Sequence, residues 1–356
     1  MSYRIKGTPW TYKGSVNVSD CKTSQEVMEK AALDWNVAKC PLFAEMPIVT
    51  DDRIDESLDR LSEQLKRNEG HTHGNNIYKL CESNFGIYRT DCNYPLGIVK
   101  GKYTPVQNVD AFKFFDDAIG KNEAIFQTAG FFGAGERIFV SAKLPDTIRV
   151  HGDAVDNYLV FTNSHDGSTG VKILFTPIRV ICQNTLNMAI KTTNNYVNFR
   201  HTQSVNSKID MAGEILGITK TMAKETELRF NELYKKNMTD IEVMDYIVKN
   251  VLSDTEIEAM ITTGHKANEL MFRSGVAVSD IGLSTRKLNV LCDMFDYYQN
   301  GIGQKEIAGT AWGAYNAISG YYSNVDNIEG IKRMDSLLYG DKGNKISKSA
   351  AILMEA

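Results

Sequence analysis

The sequence lacks any apolar run long enough to span a membrane, which takes about 20 such residues in a helix. Its most apolar stretch, residues 171–182, is interrupted by two charged residues and a proline. The first ten residues include Arg4 and Lys6, but no apolar segment follows them, so they do not have the pattern of a signal peptide. These absences predict a soluble protein that stays in the cytoplasm and has no membrane partner.

Cysteine is sparse, and its spacing excludes two kinds of site. The six cysteines lie far apart and no C-x-x-C pair occurs. A disulfide framework or a cysteine-based zinc site usually shows closely spaced pairs. We therefore expect reduced thiols, no resident metal and no cofactor.

Catalytic motifs are also missing. The glycine-rich segment 130–137 lacks the lysine of a P-loop and the spacing of a dinucleotide fingerprint, so it predicts a hairpin before a strand. Ser164, His165 and Asp166 are adjacent, whereas the members of a catalytic triad converge from distant loops. Asp166-Gly167 instead predicts a hairpin turn between strands over 158–162 and 171–175. The sequence thus favours a protein that is not an enzyme.

What the chain does contain is typical of a globular protein. Of its 356 residues, 42% are hydrophobic and 24% are charged, which argues against disorder. The net charge of −4 does not favour a general nucleic-acid binder, because phosphate neutralisation needs clustered Lys and Arg. Residues 86–201 are the exception, with 12 basic and 10 acidic side chains.

The hydrophobic pattern divides the chain into four regions. Helical spacing after the Thr23 and Glu26 capping pair, and again over Asp52–Asn68, predicts an N-terminal helical region over residues 1–85. Short β-type runs separated by turn residues predict a β-rich core over 86–206, containing one helix near 109–119. Residues 207–338 are predicted helical, and the polar tail 339–356 is expected to be mobile. The predicted fold class is α+β, with a central, mostly antiparallel curved sheet flanked by helices from the N- and C-terminal regions.

Cationic and aromatic residues alternate through the predicted sheet. Such a mixture is typical of proteins that hold single-stranded nucleic acid, where rings stack on bases and cations meet phosphates, although it also occurs on ordinary exposed sheets. The candidate nucleic-acid-binding residues are Lys100, Lys102, Tyr103, Arg137, Lys143, Arg149, Lys172, Arg179, Arg200 and His201.

Two groups of charged residues leave alternatives open. Arg179 lies inside an apolar strand, so it must pair with an internal carboxylate or with an anionic ligand. Carboxylates beside a histidine can hold a divalent cation that activates water. The second-ranked candidate site is therefore a metal-dependent phosphoryl-transfer site made of Asp153, Asp156, His165 and Asp166.

Five ordered segments carry a family resemblance. They are 32–37 (ALDWNV), 101–108 (GKYTPVQN), 164–168 (SHDGS), 177–186 (PIRVICQNTL) and 310–317 (TAWGAYNA). Together they resemble the phage- and plasmid-borne family built around domain of unknown function 932. That resemblance implies a place in a bacterial host cell, but no established activity and no catalytic residue. The expected curved sheet backed by a long helix is more distantly similar to the core of Rad52-type single-strand annealing proteins.

The leading hypothesis is a non-catalytic protein of phage or plasmid DNA metabolism that binds or anneals single-stranded DNA and forms homo-oligomers. The interleaved cations and rings, together with the resemblance, support it. Two alternatives remain: the metal-dependent phosphoryl-transfer enzyme, and a phage interaction protein that counters a host defence.

Overall fold

Two antiparallel sheets organise the computed structural model, which describes residues 3–47, 71–73, 76–120, 124–179, 181–182, 184–186, 196–202, 213–271 and 282–355. All the strand pairings within these sheets are antiparallel, and most of the described helices follow the last strand. The predicted α+β class is confirmed.

The larger sheet has six strands in the order β1-β6-β7-β8-β9-β10. They are β1 (Val16–Asn17), β6 (Ile125–Phe132), β7 (Arg137–Val150), β8 (Asp153–Ser164), β9 (Val171–Arg179) and β10 (Tyr196–Phe199). β9 contains the predicted strand 171–175 and continues through Pro177 to Arg179. Pro177 is tolerated inside it because β10 pairs only with Val171–Leu174, so no ladder bond is required from Pro177 on that edge.

The smaller sheet is built on one long strand. β4 (Asn76–Arg89) pairs with β2 (Val37–Pro47) along one edge, and with β3 (His71–His73) and β5 (Pro95–Lys100) along the other. The predicted helical region 1–85 is therefore wrong for the described residues: only α1 (Ser24–Lys30) is helical there, and β4 crosses the predicted boundary at residue 85. The predicted helix 52–68 lies outside the described residues.

Prolines explain why β2 is hard to recognise. Pro41 and Pro47 lie within it, and proline normally argues against a strand. The structure accommodates them because β2 is an edge strand whose register shifts between Pro41 and Phe43. An edge strand leaves half of its N–H groups unpaired, so a residue without an N–H costs little there.

Helices cover the sheets and form a bundle of their own. The described α-helices after α1 are α2 (Asn108–Gly120), α3 (Gly213–Lys235), α4 (Asp240–Val251), α5 (Asp254–Thr262), α6 (Thr285–Asn300), α7 (Ala311–Gly320), α8 (Gly330–Leu338) and α9 (Asp341–Glu355). The Thr23 hydroxyl accepts from the Glu26 N–H as predicted, and Thr239 and Ser253 form capping boxes at α4 and α5. None of the described helices is long and apolar enough to cross a membrane.

The predicted mobile tail 339–356 is wrong, since α9 occupies most of it. Its Ile346, Ala350 and Leu353 are buried against the helical bundle. These three apolar positions lie four and three residues apart, so they share one helix face while the polar residues face outward. This narrow apolar face is enough to pack the otherwise polar helix α9 against the helical bundle.

Both faces of the six-stranded sheet are covered. Phe112 and Phe115 of α2 pack with Phe126 and Phe161 on one face. On the other face, Met334 and Leu338 of α8 join Trp10 and Tyr158 in a separate cluster. The N-terminal segment that contains Trp10 and the helix α8 therefore lie over the same face of the sheet.

Candidate functional site

A cavity of about 660 Å³ opens where the turn after β5 meets the β8–β9 hairpin and the end of β10. We call it the basic groove, because its described lining contains four full cations and no aspartate or glutamate. The polar or charged members that matter here are Lys100, Lys102, Tyr103, Lys172, Asn198, Arg200 and His201, together with the hairpin residues 167–170. Six of the ten predicted nucleic-acid-binding residues therefore meet at one surface.

Close contact between the two sheets creates the groove. A Cβ atom on Gly97 of β5 would lie 2.6 Å from Cα of Asp166, so only glycine allows the hairpin to approach this near. Gly167 has φ of +77°, which supports the predicted Asp166-Gly167 turn. The Tyr103 hydroxyl donates to Ser164 O at 2.9 Å and ties the turn after β5 to the end of β8.

His201 and Tyr103 form the inner wall of the groove. Their rings stack with centroids 4.5 Å apart, and Thr104 N donates to His201 O at 3.1 Å. His201 Nδ1 lies 3.3 Å from Thr104 O, and since a carbonyl only accepts, Nδ1 carries the proton. Burial lowers the pKa of His201, so the ring is neutral near pH 7, and its Nε2, which has no hydrogen-bond partner among the described residues, is an acceptor.

This wall changes the predicted role of Tyr103. One ring face is covered by His201, its hydroxyl is bound to Ser164 O, and burial raises the pKa of the phenol. Tyr103 therefore shapes the groove rather than offering a free platform on which a base could stack. The exposed apolar side chain at the rim is Ile98, which is 61% exposed.

None of the four groove cations forms an ion pair with a carboxylate in the described part of the chain, although the nearby Asp335 carboxylate raises the pKa of Lys172 against the larger effect of burial. Lys100 Nζ donates to Asn84 Oδ1 at 2.8 Å, and Lys172 Nζ lies 4.2 Å from the centroid of the Tyr339 ring. Burial lowers the pKa of Lys172. Lys102 and Arg200 are exposed and form no ion pair with any described residue. The groove thus presents a positive surface to an incoming anion.

Arg137 lies beside the groove and supports it. Its Nη2 donates to Ser168 Oγ at 3.0 Å, while its Nη1 forms an ion pair with Asp335 of α8. The side chain is buried, and its charge is compensated by Asp335. Arg137 therefore holds the hairpin in place and is not one of the lining cations.

The other three predicted cations lie away from the groove. Lys143 pairs with Asp156 at 2.7 Å, and Arg179 is buried with its Nε 2.5 Å from Asp153 Oδ2. The exposed Arg149 lies on β7 near α3, where its carbonyl accepts from Asn231. A strand advances about 3.3 Å per residue, so Arg179 stands about 23 Å along β9 from Lys172. These three residues and Arg137 therefore lie outside the groove lining, so the ten predicted residues do not form one patch.

The second-ranked metal site is not assembled. Asp153 begins β8 and His165 directly follows its last residue, Ser164, so the two lie roughly 40 Å apart at 3.3 Å per residue. Asp153 also accepts from Arg179 and from Trp312 Nε1, and Asp156 pairs with Lys143. Within the described ranges, no group of three His, Cys, Asp or Glu could hold a metal ion.

His165 is a structural residue in this arrangement. Asn108 Nδ2 donates to Leu33 O at 2.9 Å, so its Oδ1 faces His165 Nε2, 2.9 Å away, and Nε2 carries the proton. Burial lowers the pKa of His165 to about 3. The ring also meets Trp35 edge-on, with centroids 5.3 Å apart. It is a neutral core histidine.

The sequence analysis did not identify two residues that line or support the groove without being among its cations. Asn198 pairs with Lys172 in the β9–β10 register, and Lys39 Nζ donates to Gly101 O at 2.7 Å behind the turn. Neither contact has a local sequence signal, because each depends on strand pairing. The hairpin residues 167–170 could have been predicted as part of the site, because the sequence does indicate the Asp166-Gly167 turn.

A family model described as a domain of unknown function (DUF932) matches residues 95–350, which is more than half of the chain. The match includes the whole basic groove and the helices that follow it. No curated protein and no solved structure shows a significant match.

Proposed function

This chain belongs to the domain of unknown function 932 family, and we propose that it is a non-catalytic protein that binds single-stranded nucleic acid in the basic groove. The observation that carries the proposal is the convergence of Lys100, Lys102, Lys172 and Arg200 on a lining without acidic residues. Clustered cations with no acidic residue among them create a positive potential that attracts anions, so a polyanion is the natural occupant.

The shape of the groove favours a single strand over a duplex. It is a concave cavity of about 660 Å³, in the size range of pockets that enclose small ligands, whereas a duplex presents a broad convex backbone. Ile98 gives the rim an exposed apolar surface for unstacked bases, and Asn198 and Ser168 supply hydrogen-bonding groups. The net charge of −4 over the whole chain disfavours diffuse electrostatic binding of nucleic acid across the surface.

The finer parts of the proposal rest on the family resemblance. We propose that the protein serves phage or plasmid DNA metabolism in the cytoplasm of a bacterial host, and that homo-oligomers align their grooves along one strand. Annealing of complementary strands in recombination is the activity that such an array would support. The groove of one chain is short, so a longer strand needs several copies.

Fluorescence anisotropy with a labelled oligothymidylate tests the proposal. The full chain is expected to bind at low salt with EDTA present, and to bind a duplex of equal length more weakly. Lys102→Gln with Arg200→Gln should weaken binding about tenfold, because each lost phosphate contact removes part of the electrostatic free energy. Both side chains are exposed and unpaired with described acids, so the fold should tolerate the changes.

The matched control is Lys235→Gln with Lys249→Gln, which removes the same charge from exposed positions on α3 and α4. It should leave affinity within about twofold of the unmodified chain. Equal weakening by both double variants would indicate a diffuse charge effect and would remove the groove from the account. Absence of binding at low salt would remove the proposal itself.

A further inference from the structure

The smaller sheet turns one face towards the core and the other away from it. Ile87 of β4 is 0% exposed in the core, and Phe85 packs against the same cluster. Successive side chains of a strand point to opposite faces, so Gly86 and Tyr88 lie on the side away from the core. We call that side the outer face.

The register of the neighbouring strands completes the outer face. Ile98 of β5 and Cys40 of β2 both pair with Gly86. Residues directly opposite each other in an antiparallel pair share a face. Lys100 pairs with Asn84, and its Nζ donates to Asn84 Oδ1 at 2.8 Å, so these two side chains also lie together.

The outer face is continuous with the basic groove, because Ile98 and Lys100 belong to both. The residues that strand pairing places on this face near the groove are Ala38, Cys40, Asn84, Gly86, Tyr88, Ile98 and Lys100, and none of them is acidic. A nucleic-acid strand that leaves the groove along these residues therefore meets no opposing carboxylate among them.

The face is open and apolar around Gly86. Ile98 is 61% exposed, and neither Ile98 nor Tyr88 belongs to a core cluster of the described residues. A Cβ atom on Gly86 would have one described heavy atom within 4 Å, Cys40 Sγ at 3.0 Å. Glycine inside a strand often marks a place where a ligand approaches closely. Gly86 thus leaves a shallow depression next to Tyr88 and Ile98.

Tyr88 differs from Tyr103 in what surrounds its ring. Tyr103 is stacked on His201 and its hydroxyl is bound, as described above. The Tyr88 side chain makes no hydrogen bond and no ring contact with the described residues. Its ring is therefore available to an incoming planar group.

We propose that the bases of the bound single strand stack on the outer face, over Gly86 and against Tyr88 and Ile98. The phosphates stay with the groove cations. This inference rests on the function proposed above and adds to it the position of the bases. Every base has a π-face, so stacking here accepts any base and no sequence preference is expected.

Two oligomers of equal length test the position of the bases: an oligothymidylate, and an abasic oligomer that has the same phosphates but no bases. The unmodified chain should bind the oligothymidylate at least about fivefold more tightly, because stacking contributes to each base that is held. Ile98→Ser and Tyr88→Leu should each weaken oligothymidylate binding about threefold or more and change abasic binding less than about twofold. Tyr88→Phe keeps the ring and should keep the affinity. Ile261→Ser is the matched control, since Ile261 is 63% exposed on α5.

Tryptophan fluorescence of Ile98→Trp gives a direct readout of stacking. The three native tryptophans are at most 5% exposed, so the introduced ring is the one that a bound strand can reach. Oligothymidylate should quench this ring by stacking on it, and the abasic oligomer should not. The control Ile261→Trp should respond to neither oligomer.

The outcomes separate this inference from the function on which it rests. Equal affinity of the unmodified chain for the two oligomers would overturn the outer-face assignment and leave the groove in place. So would an Ile98→Ser variant that binds oligothymidylate as tightly as the unmodified chain. If neither oligomer binds at low salt, the proposed function fails and this inference fails with it.

Discussion

Asp335 of α8 and Arg137 of β7 form an ion pair that connects the covering helix to the wall of the basic groove. The Arg137 side chain is 8% exposed and donates to both carboxylate oxygens of Asp335. The same guanidinium donates to Ser168 Oγ in the β8–β9 hairpin. One ion pair thus helps to fix both α8 and the hairpin.

Asp335→Asn should destabilise the protein, because it leaves a buried guanidinium without its counter-charge. We expect a loss of about 1–3 kcal/mol in the free energy of unfolding, measured by urea denaturation. Asp341→Asn is the matched control on α9, since Asp341 pairs with Lys345 at a position that is 72% exposed. Its cost should stay below about 0.5 kcal/mol. Similar losses in the free energy of unfolding for the two variants would show that the Arg137–Asp335 pair contributes no more than an exposed ion pair.

Asp153→Asn probes a second buried arginine, Arg179. Arg179 is 1% exposed and relies on Asp153, on Gly303 O at 2.7 Å and on weaker neighbours. Removing the carboxylate should cost about 3–5 kcal/mol in chemical denaturation, because an uncompensated charge stays buried. Arg179→Met combined with Asp153→Ala should recover part of that loss.

The folded fraction of Asp153→Asn should bind oligothymidylate as the unmodified chain does, since Arg179 is outside the groove. If Asp153→Asn lost affinity for oligothymidylate while its stability was unchanged, Arg179 would have to be counted among the binding residues.

Stability should fall on mild acidification because of His165. Its pKa is about 3 in the folded chain and about 6.5 when unfolded, so the unfolded state binds the extra proton first. The contribution is fully present above pH 6.5 and is lost progressively as pH falls from 6.5 towards 3. Between pH 7 and pH 5 this amounts to about 2 kcal/mol, and His201 acts in the same direction.

Urea denaturation at the two pH values measures the effect. His165→Gln keeps a donor towards Asn108 but cannot titrate, so its stability should change less over this interval. An identical pH dependence in both proteins would mean that the pKa of His165 is the same in the folded and unfolded chains, which would contradict this account.

The elements with local signals were predictable from the sequence. The Asp166-Gly167 turn, the Thr23 cap and the capping box at Thr239 each depend on residues within a few positions, and the structure has all three. β2 was missed because its prolines normally argue against a strand, and α9 because its apolar face is only Ile346, Ala350 and Leu353 within a polar segment.

The candidate site was predictable only in part. Of the predicted cations, the structure brings Lys100, Lys102, Lys172 and Arg200 together in one groove. The partners of the remaining cations depend on register and on distant segments: Lys143 meets Asp156 across β7 and β8, and Arg137 meets Asp335 198 residues later. No local pattern encodes such pairs, so charge alone could not separate the cations of the groove from those held in internal ion pairs.

The salt dependence of oligothymidylate binding tests the central claim most directly. The affinity of the unmodified chain should fall linearly on a plot of log affinity against log salt concentration. Lys102→Gln with Arg200→Gln should make that slope shallower by about 1–2, because each lost phosphate contact releases roughly one counterion fewer. The same slope in the unmodified chain and the groove variant would contradict the assignment of the basic groove as the nucleic-acid site.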